Sequence, residues 1–253
     1  MKTKSRLKLM MITAFFLFFG AALRQTDLGA EVLVNDDFLY QPNAADLQGT
    51  WRAKTSGDRK FILSGVLGTN IEMGGLPARD LRTIVGSAKN GFAIRRDAGT
   101  FFFEGGISNS GKGSGRFYFR PDKGYADKMK NLRSPGSSEG AGAPDPSLFY
   151  CAVHDLSYDY AARIQDAGYK KTSLHDLLVL CSTGVAPEYI KKMADIGYKD
   201  ISPEDLILLT VQKVPTGFIK KVIGTSDNLP TARELTLIWM YGDMASDFKH
   251  QEN

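Results

Sequence analysis

The residues with the clearest potential for binding chemistry lie in a glycine-rich stretch where aromatic and polar residues alternate. Arg116, Tyr118 and Arg120 are spaced two apart, and Arg95 lies in a neighbouring run of the same kind. Side chains two residues apart share one face of a β-strand, so these four are expected to form one surface. Guanidinium groups beside an aromatic ring suit anionic polymers or glycans. The competing interpretation is an ordinary solvated sheet face.

Cys151 and Cys181 are the only cysteines in the chain. They fall in segments predicted to be adjacent, equivalent helices, and disulfides persist in exported proteins. A bridge between them and a pair of small buried hydrophobic residues are both open interpretations. Their spacing, with only three histidines in the chain, does not predict a zinc site.

The sequence predicts no catalytic, cofactor-binding or metal-binding residues. The segment from Gly106 to Lys112 resembles the start of a phosphate-binding loop. However, Gly113 follows where Ser or Thr is needed, and both flanks are predicted strands, so a hairpin turn is the better interpretation. His154 and His175 are each followed by Asp, and no serine lies in a nucleophile elbow. A hydrolase whose site is invisible in one sequence stays a less favoured alternative.

The first 30 residues predict a signal peptide and its cleavage region. Four basic residues precede an uncharged apolar run from Leu9 to Leu23, which is short for a bilayer span. Cleavage is expected after Ala22 or Ala30, and the alternative is an uncleaved N-terminal anchor. No other segment is apolar enough to span a membrane, so a periplasmic or secreted protein is expected. The formal net charge of +4 comes entirely from this leader, which argues against a nucleic-acid or anionic-membrane partner.

Residues 31–124 are predicted to form an antiparallel β-domain. Fifteen of the 26 glycines lie between Gly49 and Gly124, and apolar residues alternate with polar ones there. Aromatic residues at period two, bounded by turns at 97–99 and 109–113, predict a three-stranded meander over residues 91–120. With the earlier apolar runs, this predicts a sandwich or half-barrel of about six strands.

From residue 148 to residue 253 the pattern is helical, and it repeats every 29 residues over about three units, with half of an earlier unit before them. A helix and a linker rich in Pro, Gly and Ser, residues 125–147, precede the repeats. The recurring positions are an aromatic residue, a hydroxyl N-cap, an acid and two aliphatic residues: Tyr160/Tyr189/Phe218, Ser173/Ser202/Thr231, Asp176/Asp205/Glu234, Leu177/Leu206/Leu235 and Leu180/Leu209/Ile238. A fixed period predicts stacked helix pairs with one continuous core and a degenerate last unit as terminal cap. The chain is therefore predicted to be α+β.

Two tyrosines of the repeat are predicted to be packing residues. Tyr189 recurs as Tyr160 and Phe218, so its position needs an aromatic body and not a hydroxyl. Tyr198 recurs as Tyr169 but not in the last unit. It is therefore expected to pack over the junction to a following unit.

The repeat resembles one that occurs in a family of exported bacterial proteins with no assigned activity. The residues that carry the resemblance are GVAPEYI (184–190), Gly197-Tyr198, SPEDL (202–206), and in the β-segment RDAGTF (96–101) and GSGRF (113–117). Similar segments are attached to membrane metallopeptidases of the penicillin-sensor type. The resemblance covers roughly residues 47–242 and implies an extracytoplasmic accessory or sensory module. It supplies no catalytic residues, and Ala186 stands where the family pattern has Thr.

These observations favour an exported, non-enzymatic accessory or sensory protein whose helical repeats bind a protein or peptide of the cell envelope. The first alternative is binding of an envelope glycan or anionic polymer through Arg95, Arg116, Tyr118 and Arg120. DNA binding of the helix-hairpin-helix type is less favoured, because residues 152–253 carry 11 basic against 14 acidic side chains. No cofactor is expected.

Overall fold

A computed structural model describes residues 31–34, 46–54, 60–66, 69–73, 91–132, 146–170, 172–226 and 228–248. Over these residues the protein is α+β, because seven strands precede eight helices, and the predicted fold class is confirmed. The predicted signal peptide and most of the predicted linker lie outside the described residues. None of the helices in the described ranges is long and apolar enough to cross a membrane.

The strands form one antiparallel sheet in the order β1-β5-β6-β7-β2-β3-β4. The predicted three-stranded meander corresponds to β5, β6 and β7, and the segment from Gly106 to Lys112 is the turn between the last two, as expected. The strand bounds are β1 Glu31–Val34, β2 Leu47–Lys54, β3 Lys60–Val66, β4 Thr69–Met73, β5 Gly91–Arg96, β6 Gly99–Glu104 and β7 Gly113–Pro121.

The sheet curls into a half-barrel, one of the two forms that the sequence predicted. Phe61 in β3 and Phe92 in β5 lie four strand positions apart, which is about 19 Å in a flat sheet. Their ring centroids are only 5.8 Å apart. The inner face of the sheet is therefore wrapped around a cluster of aromatic rings.

Trp51 lies on the inner face, where a glycine on the neighbouring strand leaves room for the indole. Its cross-strand partner in β7 is Gly115, where a Cβ atom would lie 1.9 Å from the carbonyl oxygen of Glu104 and 2.9 Å from the indole nitrogen. That nitrogen donates a hydrogen bond of 2.9 Å to the same carbonyl. Glycine is therefore required here because the indole crosses the strand to reach its acceptor.

The helices form an array that begins with half a unit and continues with three helix pairs. α1 follows the last strand in the chain, α2 is the half unit, and the pairs are α3–α4, α5–α6 and α7–α8. Their bounds are α1 Lys123–Leu132, α2 Pro146–Val153, α3 Tyr158–Asp166, α4 Leu174–Ser182, α5 Pro187–Asp195, α6 Pro203–Val211, α7 Thr216–Ile223 and α8 Ala232–Phe248.

The backbone after α2, α4 and α6 confirms the 29-residue period and the earlier half unit. Asp155, Gly184 and Lys213 are 29 apart, and all three have positive φ angles, of 54°, 75° and 54°. In each case the next residue donates its N–H to a carbonyl five residues back, the bond that closes a helix with a left-handed residue. The same turn therefore leads into each following pair, whether or not the residue is glycine.

The predicted helix starts are also confirmed. The hydroxyl oxygens of Ser173 and Ser202 accept hydrogen bonds from backbone N–H groups three residues on. Thr231 and Glu234 form the reciprocal capping box at the start of α8. Ala186 makes no side-chain cap, and Pro187 begins that helix instead.

Tyrosine hydroxyls join each unit to the next. Tyr160 donates to the carbonyl of Val185, and one repeat later Tyr189 donates to that of Val214. Tyr198 donates to the carbonyl of Pro230 in the following unit, as Tyr169 does to an equivalent carbonyl. The prediction that Tyr198 packs over a junction is confirmed, and the hydroxyl of Tyr189 has a bond that the sequence did not predict.

The array joins the half-barrel through one aromatic and one charged residue. Phe149 of α2 packs against three rings of the inner face, those of Phe101, Phe117 and Phe119. Arg96 is 4% exposed and donates to the carbonyls of Ala152 and Val153 at the end of α2. A cation at a helix C-terminus is favourable because it meets the unpaired carbonyls there.

Candidate functional site

The predicted arginine and tyrosine face exists as a surface of the sheet. Arg116, Tyr118 and Arg120 alternate with the inward-facing Phe117 and Phe119 of β7. Arg95 lies on the same outer face, two strands away, because Arg95 pairs with Thr100 and Thr100 pairs with Arg120. The sequence therefore placed these four residues on one surface correctly.

The polar side chains of that surface mostly contact other residues of the same protein. Arg116 forms an ion pair of 2.9 Å with Glu104, and Arg120 lies 3.6 Å from Asp46 and over the ring of Phe102. Tyr118 is only 4% exposed, so its ring offers no stacking platform. Burial, with the nearby Glu104 carboxylate, raises the pKa of the Tyr118 hydroxyl.

One broad depression of about 560 Å³ opens beside this face, where β6 and β7 diverge. Polar groups, glycines and the edge of one indole line it: Thr50, Trp51, Glu104, Gly105, Ser114, Gly115 and Arg116. The indole nitrogen already donates to the Glu104 carbonyl, and the guanidinium of Arg116 already meets the Glu104 carboxylate. The depression therefore has few groups left to direct toward a ligand.

Both cysteines are thiols in the structure, so the disulfide considered from the sequence is not formed there. The thiol of Cys181 lies 3.4 Å from the carbonyl oxygen of His154, to which it donates. Two repeats later Trp239 makes the equivalent bond to the carbonyl of Gln212, at 3.1 Å. Cys181 and Trp239 thus share a repeat position and both donate to the preceding unit, whereas the buried hydroxyl of Thr210 at the same position has no hydrogen-bond partner among the described residues. Burial raises the pKa of the Cys181 thiol to about 12.

A cluster of exposed apolar residues lies on α8, the last helix of the array. Leu237, Ile238, Trp239, Met240 and Tyr241 are each 41–51% exposed, and we call them the terminal apolar surface. Leu229, nearby in sequence, is the only other large hydrophobic residue this exposed within the described ranges. Isolated exposed hydrophobic residues are ordinary, whereas five in succession make slightly more than one whole turn of this helix apolar where it meets solvent.

The repeat shows that one of these positions is buried wherever another unit follows. Ile238 is equivalent to Cys151, Leu180 and Leu209, which are 1%, 0% and 0% exposed. Ile238 is 41% exposed. The difference is that a helix pair follows α2, α4 and α6, whereas α8 is the last helix of the described chain.

The local conformation of α8 keeps this surface open. α4 and α6 have 9 residues each and end before the left-handed turns at Gly184 and Lys213. The equivalent residue Gly242 is still helical, and α8 runs for 17 residues. The helix therefore continues through the position at which α4 and α6 end and the chain turns.

The surface carries no charge of its own. The segment from Leu235 to Gly242 contains no ionisable acid or base other than the Tyr241 phenol. At about half exposure, five side chains of this size leave on the order of 400–500 Å² of mostly apolar surface, distributed around slightly more than one turn of the helix. A water-facing side of a capping unit would be polar instead.

Sequence reasoning did not identify this surface, although a signal was present. The last unit was expected to be a terminal cap, and its outer face is apolar in the described part of α8. The recurrence of Ile238 at a core position, followed by Trp239 and Met240, was the available signal. It was missed because the same residues fit the core of a helix pair.

No cluster of His, Cys, Asp and Glu in the described ranges could hold a metal ion. No family model, no curated protein and no solved structure matches the chain. The resemblance to exported repeat proteins therefore stays a prediction.

Proposed function

We propose that the protein is an exported accessory or sensory protein without catalytic activity, whose helical array binds a protein or peptide of the cell envelope at the terminal apolar surface. The observation that carries the proposal is the exposure of Ile238 at a position that is buried in every other unit. Export is part of the same proposal, and its support is the signal peptide predicted for residues 1–30.

The chemistry of the terminal apolar surface favours a protein partner over a glycan or a nucleic acid. Sugars are held by many hydrogen bonds, and here the indole N–H of Trp239 already donates to Gln212, which leaves the Tyr241 hydroxyl as the polar side-chain group. Nucleic acids need positive charge, and residues 152–253 carry more acidic than basic side chains. An apolar, uncharged surface is suited to the core of a protein interface.

The second candidate is an envelope glycan or anionic polymer at the face formed by Arg95, Arg116, Tyr118 and Arg120. Its supporting observation is the guanidinium of Arg116, which is 69% exposed beside the open depression. The buried ring of Tyr118 and the carboxylate partners of Arg116 and Arg120 make this face the weaker candidate.

The test compares partner recovery from the native cell envelope after crosslinking. Wild type is compared with Ile238→Asn, which makes the terminal apolar surface polar, and with Arg233→Asn, an exposed change on the same helix. We expect the partner with wild type and Arg233→Asn and its loss with Ile238→Asn. Equal recovery from all three, with loss for Arg116→Ala, would move the site to the sheet face.

A further inference from the structure

We infer that α1 and α2 are a complete first unit of the helical array, and that the function of the half-barrel is to cap the array at this unit. The 29-residue period identifies only α2 as part of the array, because α1 is out of register with the later helices. This role of the half-barrel is separate from that of the terminal apolar surface, which lies on the last helix.

α1 begins in the same way as α3, the first helix of the following pair. The Asp122 carboxylate accepts a hydrogen bond of 2.7 Å from the backbone N–H of Tyr125. The Ser157 hydroxyl accepts one of 3.1 Å from the backbone N–H of Tyr160. The side chain four residues after the tyrosine is buried in α1, α3 and α5: Met129, Ile164 and Met193.

The hydroxyl of Tyr125 makes the bond that recurs between a first helix and the turn into the next unit. It donates to the carbonyl of Leu156 at 2.7 Å. Tyr160 donates to the carbonyl of Val185 at 2.8 Å. The two acceptors are 29 residues apart, and each directly follows the left-handed residue of its turn. Tyr125 is therefore the equivalent of Tyr160, although the two tyrosines are 35 residues apart.

The first helices of the units form one row, and α1 lies at its beginning. α1 packs on α3, α3 packs on α5, and α5 packs on α7. The side-chain amide of Gln165 in α3 also donates to the carbonyl of Leu132, the last residue of α1. α1 therefore contacts the array as each later first helix contacts the next one.

The length of one connection explains why α1 is out of register. Thirteen residues, 133–145, connect α1 to α2, whereas seven connect α3 to α4 and seven connect α5 to α6. The excess of six residues equals the difference between the 35-residue spacing of the two tyrosines and the 29-residue period. The first unit therefore has the construction of the others with a six-residue insertion.

The half-barrel covers this first unit. Phe149 of α2 packs on β6 and β7, and Arg96 donates to the carbonyl of Val153 at 2.8 Å. Asp97, in the turn after β5, accepts a hydrogen bond of 3.0 Å from the backbone N–H of Tyr158 at the start of α3. Residues 151–153 of α2 are at most 1% exposed, whereas their equivalents 238–240 in α8 are 41–50% exposed. An array of stacked units needs such a cover at its end.

The first unit is tested by deleting residues 137–142 from the full chain, which leaves seven residues between α1 and α2. The control variant replaces the same six residues with alternating Gly and Ser. Urea unfolding followed by far-ultraviolet circular dichroism should give both variants the midpoint of wild type, because shortening an unstrained loop changes its closure entropy little. A deletion variant that is unfolded, or has a lower midpoint than the control, would overturn the assignment.

The hydroxyl of Tyr125 gives a second test that keeps the chain length. Tyr125→Phe and Tyr160→Phe should lower the urea midpoint by similar amounts, because each removes one buried hydrogen bond to a turn carbonyl. Tyr241→Phe, at an exposed position, should leave the midpoint unchanged. A shift for Tyr160→Phe with none for Tyr125→Phe would show that α1 is not an equivalent helix.

The capping role is tested with Trp239→Phe, which leaves Trp51 of the half-barrel as the only tryptophan in the chain. Urea unfolding of this variant is followed by Trp51 fluorescence and by circular dichroism of the helices. The two signals should change in one coincident transition, because the cap and the array unfold together. Two separate midpoints would show that the half-barrel is an independent domain and would overturn the capping role.

Discussion

Phe218 and Trp239 pack ring against ring at the open end of the array, with centroids 5.0 Å apart and planes inclined by 62°. In the earlier units the Phe218 position is a tyrosine whose hydroxyl reaches the next turn. At the last unit an aromatic contact replaces that hydrogen bond, and the indole N–H of Trp239 donates backward to Gln212. The last unit is therefore held to the preceding ones while its outer face stays apolar.

The hydroxyl and the ring of Tyr189 should contribute differently to stability. Tyr189→Phe removes one hydrogen bond to Val214 and should lower the free energy of unfolding by about 1 kcal/mol. Tyr189→Ala removes a partly buried ring and should cost about 3 kcal/mol or more. Chemical denaturation of the three proteins measures both differences. A Tyr189→Ala protein as stable as wild type would show that the ring is not part of the core.

The N-cap at the start of α6 should matter more than a charge on the sheet. Ser202→Ala loses the bond from the backbone N–H of Asp205 and should cost about 1 kcal/mol. Glu104→Ala removes an exposed ion pair with Arg116 and should cost less than 1 kcal/mol. The melting temperature of Ser202→Ala should therefore be lower than that of Glu104→Ala. The reverse order would contradict the capping assignment.

Stability should fall as the pH is lowered through the titration range of His154. Burial, assisted by the charge of Arg96, lowers the pKa of His154 to about 4 from 6.5. Between these two pH values the unfolded chain binds a proton that the folded chain does not. The contribution of His154 to the free energy of unfolding is therefore complete above pH 6.5, and up to about 3 kcal/mol of it is lost as the pH falls to 4.

The matched variant for this pH dependence is His154→Gln, which cannot take up the proton. The free energy of unfolding of the variant should depend less steeply on pH between 6.5 and 4 than that of wild type. The difference between the two pH profiles reports the proton that the histidine takes up on unfolding. Parallel pH profiles for the two proteins would show that His154 is protonated freely in the folded state.

The cysteines should react with thiol reagents only after unfolding. Cys151 is 1% exposed, and burial raises the pKa of Cys181 to about 12, which leaves almost no reactive thiolate at neutral pH. Protein from the exported fraction should show two thiols with Ellman's reagent in denaturant and none without it. No thiols in denaturant would establish the disulfide that the sequence left open.

The repeat made the helical half of the fold predictable from sequence. Ser173 and Ser202 correctly predicted two helix starts. Gly184 predicted a left-handed turn, and the same turn occurs at Asp155 and Lys213, which are not glycine. The meander of β5, β6 and β7 was equally clear, because aromatic residues alternate on strands that are consecutive in the chain. The local sequence pattern was sufficient to predict the fold where elements that are consecutive in the chain also pack together.

The candidate site was less predictable because it depends on contacts that are distant in sequence. Alternation placed Tyr118 on the outer face correctly, but its burial and the pairing of Arg120 with Asp46 follow from β2 lying beside β7. The exposure of Ile238 depends on α8 continuing through Gly242 instead of turning there. Neither fact is encoded in the period of the sequence.

The most direct measurement is photo-crosslinking in the native cell envelope with a benzophenone side chain at one chosen position. The label is placed at Met240 on the terminal apolar surface or, as the control, at Arg95 on the sheet face, both exposed. If the terminal apolar surface is the binding site, Met240 gives one discrete protein adduct and Arg95 gives none. An adduct from Arg95 with none from Met240 would contradict it.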